Sequence, residues 1–198
     1  MARKPAPSRP PAEGTTWLAG QVLIAMPAMA DPRFAQSVIY MCAHNAEGAM
    51  GIVVNRALDT PRFADLLGQL KVEPAPPVRT IRLVSGGPVE SARGFVLHSA
   101  DWVGEGTLRV DGEVALTASL DVLAAIAGGA GPAQAVLALG YAGWGAGQLD
   151  QEIQANGWLT APADAALVFD ADDATKWRRA LGKLRIDPLL LSAAAGRA

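Results

Sequence analysis

Between Gln21 and Asn55 the chain runs through three apolar stretches, Gln21–Met26, Ser37–Ala43 and Gly51–Asn55, separated by segments rich in Pro, Asp, Asn and Gly. Each run is too short for a helix of ordinary length, and its Val, Ile and Tyr content suits a pleated, buried surface. The turn-forming residues at the run ends complete the strand signal, so the fold is expected to open on β-structure. The same stretch holds the only cysteine, Cys42, and one of the two histidines, His44.

Downstream, elements of both kinds alternate. Thr60 and Pro61 read as the cap and first position of a helix in which Phe63, Leu66, Leu67 and Leu70 share one face. Strands are expected at Val78–Val84 and Gly94–Ser99, joined through the turn Ser85-Gly86-Gly87-Pro88. The pair Thr107–Val110 and Val114–Thr117 flanks Asp111-Gly112 and reads as a hairpin. Ser119 is positioned to cap a helix carrying Leu120, Leu123 and Ile126 that stops at Gly128-Gly129. An apolar strand follows at Ala135–Tyr141, then a corner at Gly143-Trp144-Gly145 and a helix over Ala146–Asn156. The last helix places Trp177, Ala180, Leu181 and Leu184 on an apolar stripe, after a start marked by Asp170, Asp172 and Asp173. The expectation is an α+β single domain, a strongly bent mixed or antiparallel sheet of barrel-like form with three to four flanking helices.

With 198 residues, 51% of them hydrophobic and 18% charged, the chain can bury a full core in one domain. That domain is expected over residues 15–190, with a Pro-rich disordered tail at 1–14 and a flexible tail at 191–198. The basic residues Arg3, Lys4 and Arg9 ahead of the apolar run mimic a secretory leader, but Pro5, Pro7, Pro10, Pro11 and Glu13 break the pattern. No segment is long enough to span a membrane, and a single cysteine permits no internal disulfide, so the cytoplasm is the expected location. A net charge of −2 provides no field that would draw in a phosphate backbone.

Several motifs resemble the YqgE/AlgH family of bacterial proteins. They are Leu23-Ile24-Ala25-Met26-Pro27, Asp31-Pro32-Arg33-Phe34, Ser37-Val38-Ile39-Tyr40, His44-Asn45, Gly48-Ala49-Met50-Gly51 and Asn55-Arg56. Farther along come Gly86-Gly87-Pro88-Val89, Arg93 to Ser99, Leu139 to Trp144, Gly147-Gln148-Leu149, Glu152-Ile153, Asn156, Trp158-Leu159 and Lys176-Trp177. The resemblance implies a single-domain protein with a bent, barrel-like sheet and a largely unassigned activity. One branch carries the name of a transcriptional regulator of exopolysaccharide (alginate) production, a genetic label with no DNA-reading element behind it. No catalytic residues come with the resemblance.

The residues themselves offer several chemistries. Cys42, His44 and His98 supply three metal-ligand types, yet their spacing matches no zinc pattern and no fourth ligand is evident, so no metal and no cofactor are expected. A hydrolase using Cys42 or a histidine is the alternative reading, without a G-x-S-x-G elbow or a phosphate loop to support it. Ser85-Gly86-Gly87 is read either as a tight turn or as a concavity of backbone N–H groups for an anion. Tyr141 and Trp144 are read either as core or as the aromatic lining of a pocket. Lys176, Arg179 and Lys183 form a stripe read as a solvated face. The expectation is a non-enzymatic, regulatory binding protein for a protein or small-molecule partner, with no direct DNA contact. Its ligand site is expected where His44, Asn45, Asn55, Ser85, Gly86 and His98 converge at strand ends.

Overall fold

Three antiparallel strands open the fold: β1 (Gln21–Ala25), β2 (Val38–Asn45) and β3 (Gly48–Val53). A computed structural model describes residues 17–74, 76 and 79–187 of the chain. The expected tails and Val78 lie outside those residues. Strand alternation sorts the side chains of the three strands cleanly. Val22, Ile24, Val38 and Tyr40 enter one core, and Leu23, Ala25, Ile39 and Met41 enter another on the opposite face. The β2–β3 hairpin turns at Ala46 and Glu47, closer to β2 than the apolar runs implied, because Asn45 Oδ1 accepts the N–H groups of Glu47 and Gly48.

The remaining elements are α1 (Phe63–Gln69), β4 (Arg82–Ser85), β5 (Val89–Ser99), β6 (Leu108–Arg109), β7 (Val114–Thr117), α2 (Leu120–Ala127), β8 (Ala135–Gly145), α3 (Gln148–Gln154), β9 (Trp158–Pro162), α4 (Ala165–Phe169) and α5 (Asp173–Lys183). One nine-stranded sheet runs β6-β7-β5-β8-β3-β2-β1-β9, with β4 parallel to β8 beside that path. The sheet curls into a half-barrel, as the expected class required. The described residues form five helices, more than the three to four anticipated. The unanticipated one, α4, has only five residues and follows β9, an edge strand ending at Pro162 that pairs with β1 alone.

Local chemistry explains the shifted boundaries. The first helix is capped at Arg62, not at Thr60, because Asp65 Oδ2 accepts the Arg62 backbone N–H. Ser119 precedes α2 but makes no side-chain cap bond, and Leu120 is exposed rather than inward. The strand β8 continues past the expected corner to Gly145, since Gly48 leaves room where any Cβ would lie 2.4 Å from the Trp144 carbonyl oxygen. Helices α4 and α5 cover the face holding Tyr40, through Leu167, Trp177 and Leu181. The loop after β1 and helix α3 cover the face holding Trp144, and α1 with α2 cover a third apolar cluster around Leu137.

The basic stripe of α5 is a correction. Lys176 is fully buried, with Nζ donating to the carbonyls of Val54 (3.0 Å) and Asp170 (2.7 Å) and to Asp173 Oδ1 (2.9 Å). Arg179 pairs with Asp170 and Lys183 with Asp164 while both stay open to solvent, so only the Lys176 end of the stripe is withdrawn from the surface.

Candidate functional site

The two histidines expected to share a cleft flank opposite ends of β8. His44 faces Ala49, which pairs with Trp144, whereas His98 pairs with Ala135. At about 3.3 Å per residue the strand path between those ends is roughly 30 Å. Both rings are buried. His44 lies edge-on to Trp17, with Nε2 3.5 Å from Asp150 Oδ2 and Nδ1 without a hydrogen-bond partner among the described residues. His98 bonds from Nδ1 to the Ser99 carbonyl, which can only accept, so its Nε2 accepts from the Thr117 hydroxyl at 2.9 Å. Burial lowers the His98 pKa and keeps the ring neutral.

The other four residues are engaged by the backbone. Asn55 bridges β2 to the loop before it, accepting from the Val38 N–H and donating to the Gln36 carbonyl. Ser85 sits beside it, its N–H bonded to the Arg56 carbonyl. Gly86 gives its N–H to Leu139 and its carbonyl to Val53, so the glycine pair is no anion concavity. A Cβ at Gly86 would lie 2.3 Å from the Gly140 carbonyl oxygen, and one at Gly87 2.1 Å from the Tyr141 carbonyl carbon. These glycines exist because two backbones cross there. Asn45 is the one residue of the set that lines an open depression. The six therefore do not meet in one cleft.

Cys42 is no activated nucleophile. Burial and, secondarily, Asp111 push its thiol up to about 12, and its Sγ lies 3.8 Å from the Tyr40 carbonyl. Tyr40 donates to Asp111 Oδ2 at 2.6 Å, and burial with that carboxylate raises its own pKa. No cluster of His, Cys, Asp and Glu among the described residues is arranged to hold a metal ion.

What the fold does build is a cleft of about 640 Å³ beneath the end of β8. Glu152 on α3 is its anchor. Glu152 Oε2 accepts the indole N–H groups of Trp144 (2.9 Å) and Trp158 (2.8 Å), and Oε1 accepts from Gln148 (2.8 Å). The indoles meet edge to face at 6.0 Å, and Phe34 stands edge-on to Trp158 at 5.6 Å. Arg33 closes the rim in a fork with Asp31, and that hydrogen bonding holds the Asp31 carboxyl below its usual range. Met29, Pro88 and Gly143 complete the walls. A second, shallower depression adjoins it and shares Val89, Gly143 and Trp144; its apolar floor is Met50, Phe95 and Tyr141. Tyr141 thus lines the second depression, and Trp144, mostly buried with its indole N–H held by Glu152, lines both.

Sequence reasoning passed over Glu152, Arg33 and Phe34 as site residues because no motif joins them. Their available signal was membership in the segments that carry the family resemblance, which reach this cleft from four stretches of the chain: Asp31 to Phe34, Pro88-Val89, Gly143-Trp144, and Gln148 to Trp158 with its motifs at Gln148, Glu152, Asn156 and Trp158.

A sequence model of a family described as AlgH-like matches residues 22–189. A UPF0301 protein of Rhodospirillum rubrum is 58% identical over 182 residues, covering 92% of this chain and 95% of its own. A UPF0301 protein of Gluconobacter oxydans is 56% identical, with 91% and 98% covered. The solution structure of the AlgH protein from Pseudomonas aeruginosa aligns with a TM-score of 0.75 at 44% identity over the whole of both chains. A crystal structure from Corynebacterium diphtheriae aligns at TM-score 0.71, and its 23% identity speaks to the fold alone.

Proposed function

This chain belongs to the AlgH-like family, and from that premise we propose that it is a regulatory binding protein whose working surface is the cleft around Glu152, Trp144 and Trp158. The observation that carries the reading is the meeting of family-like motifs from four stretches of the chain on one open, aromatic cleft that holds no activated nucleophile. Such a surface recognises shape and apolar contact, with a few fixed polar groups for orientation. Regulation then runs through a bound partner. Direct DNA contact has little support, because Lys176, Arg179 and Lys183 of α5 are already paired with Asp173, Asp170 and Asp164, which leaves Arg178 as the one cation of that helix outside an ion pair among the described residues. The reading assigns the protein to the cytoplasm, consistent with a single buried thiol; no helix among the described residues is long and apolar enough to cross a membrane.

A bacterial strain lacking the gene, complemented with wild type or with a chain carrying Phe34→Ala and Val89→Asp, tests this. The altered chain is expected to accumulate and fold normally yet fail to restore the wild-type transcript profile. Full restoration would sink the assignment of the cleft. A mobility shift with duplex DNA that weakens steeply with salt would replace indirect regulation by direct binding.

A further inference from the structure

Strand β8 is flanked unevenly. On one side β4 and then β3 accompany it along its length; on the other, β5 follows it only from Ala135 to Leu139 and again at Tyr141. There Pro88 and the Gly86-Gly87 crossing carry the chain away over Gly140. The segment Ala142–Gly145 consequently has a strand on one side only. Its open side is not sealed: Gly143 is exposed and has no side chain. The N–H of Gly145 points to that side, donating to Gln148 Oε1 at 3.0 Å. Antiparallel alternation places the N–H and carbonyl of Gly143 on the same side.

The two depressions lie on opposite faces of this edge. Met50, Phe95 and Tyr141 belong with the core of one face, Phe34, Trp144 and Trp158 with the core of the other. An extended chain sends successive side chains to opposite faces, so a strand laid along Gly143 fills both at once. A compact small molecule reaches only one. The charge that remains on the rim is also informative. Arg33 is neutralised by Asp31, Arg93 by Glu90, and Glu152 is occupied by three N–H donors. Glu47, at the turn beyond Gly145, has no ion-pair partner among the described residues. Resting on the cleft assignment above, we infer that the occupant is an extended peptide segment of a partner protein, added as a strand to the Gly143 edge of β8. It carries apolar side chains at consecutive central positions and a Lys or Arg at the end that passes Glu47.

The probe is a library of acetylated, amidated heptapeptides with lysine at one end and Val, Ile, Leu, Phe, Tyr or Trp at the central three positions, titrated against the full chain by NMR. Binders are expected to move the Gly143 amide together with the Trp144 and Trp158 indole signals. N-methylation of the one central amide that faces Gly143 is expected to weaken the best binder about tenfold, the size of a lost main-chain hydrogen bond, while methylation of the adjacent amide does not. Glu47→Lys is expected to weaken it as well and to favour a peptide with glutamate in place of lysine. Binding that shifts the indoles but ignores N-methylation overturns strand addition and leaves the cleft assignment standing. No binding at millimolar peptide across the library overturns strand addition too. The complementation test above judges the cleft itself separately.

Discussion

Two carboxylate clusters hold elements of this protein together, and they differ in what they leave open. Under α5, Asp173 meets charged donors: Arg82 at 2.8 Å and Lys176 at 2.9 Å, both of which also reach the Val54 carbonyl. Lys176 is 0% and Arg82 about 18% exposed, so the cluster is largely closed to solvent. Under β8, Glu152 meets neutral donors, two indoles and an amide, beside an open cleft. A sealed charge pair left half-made is expensive, whereas neutral donors around one carboxylate fix geometry at modest cost. The first cluster is a clamp between helix and sheet. The second is a preorganised wall whose rigidity is available to a ligand.

The contrast is easiest to break at the clamp. Lys176→Ala leaves Asp173 and the Val54 carbonyl with Arg82 as their remaining donor and takes the Lys176 donor from the Asp170 carbonyl, and is expected to cost about 3 kcal/mol in urea unfolding; a loss below about 1 kcal/mol would mean that the cluster is hydrated after all. Glu152→Ala leaves two indole donors without their acceptor and is expected to cost about 2 kcal/mol, with both indole N–H signals displaced; an unchanged spectrum would dissolve the proposed wall. A third buried polar group, His98, sharpens the scale. Its folded-state pKa lies below the unfolded value of about 6.5, so its contribution is complete above that pH and is lost as the pH falls through the lower folded value. Unfolding midpoints at pH 7 and pH 5 should therefore differ less in His98→Gln than in wild type, with Asp101 nearby titrating at more acid pH. The smallest effect is expected at the rim: Arg33→Ala removes a fork to Asp31 that is open to solvent and should leave the unfolding midpoint where it is, altering binding alone. A clear fall in stability there would move Arg33 from recognition to structure.

Much of the fold was legible because its signals are local. The short apolar runs within Gln21–Asn55 and the Asp111-Gly112 hairpin turn need no distant partner, and the strands they imply are present with shifted ends. Where local signals misled, a neighbour far along the chain was responsible. Gly143 and Gly145 look like a corner, yet Gly48 across the ladder lets β8 run straight through them. Lys176 sits on a stripe that resembles a solvated face, yet Val54, from the other end of the chain, receives its ammonium. Edge strand β9 carried a proline and too little apolar length to announce itself.

The candidate site divides along the same line. Alternation, turn chemistry, the apolar faces and kinship with the AlgH-like proteins are written in consecutive residues, because backbone sterics and side-chain period act over a few positions. Which polar groups meet is not. His44 and His98 were drawn to opposite ends of one strand, while Glu152, Trp144, Trp158 and Phe34 were gathered into a cleft, by pairing among strands and helices far apart in the chain. Burial of the two sheet faces selects that pairing, and every side chain on a strand then travels with it.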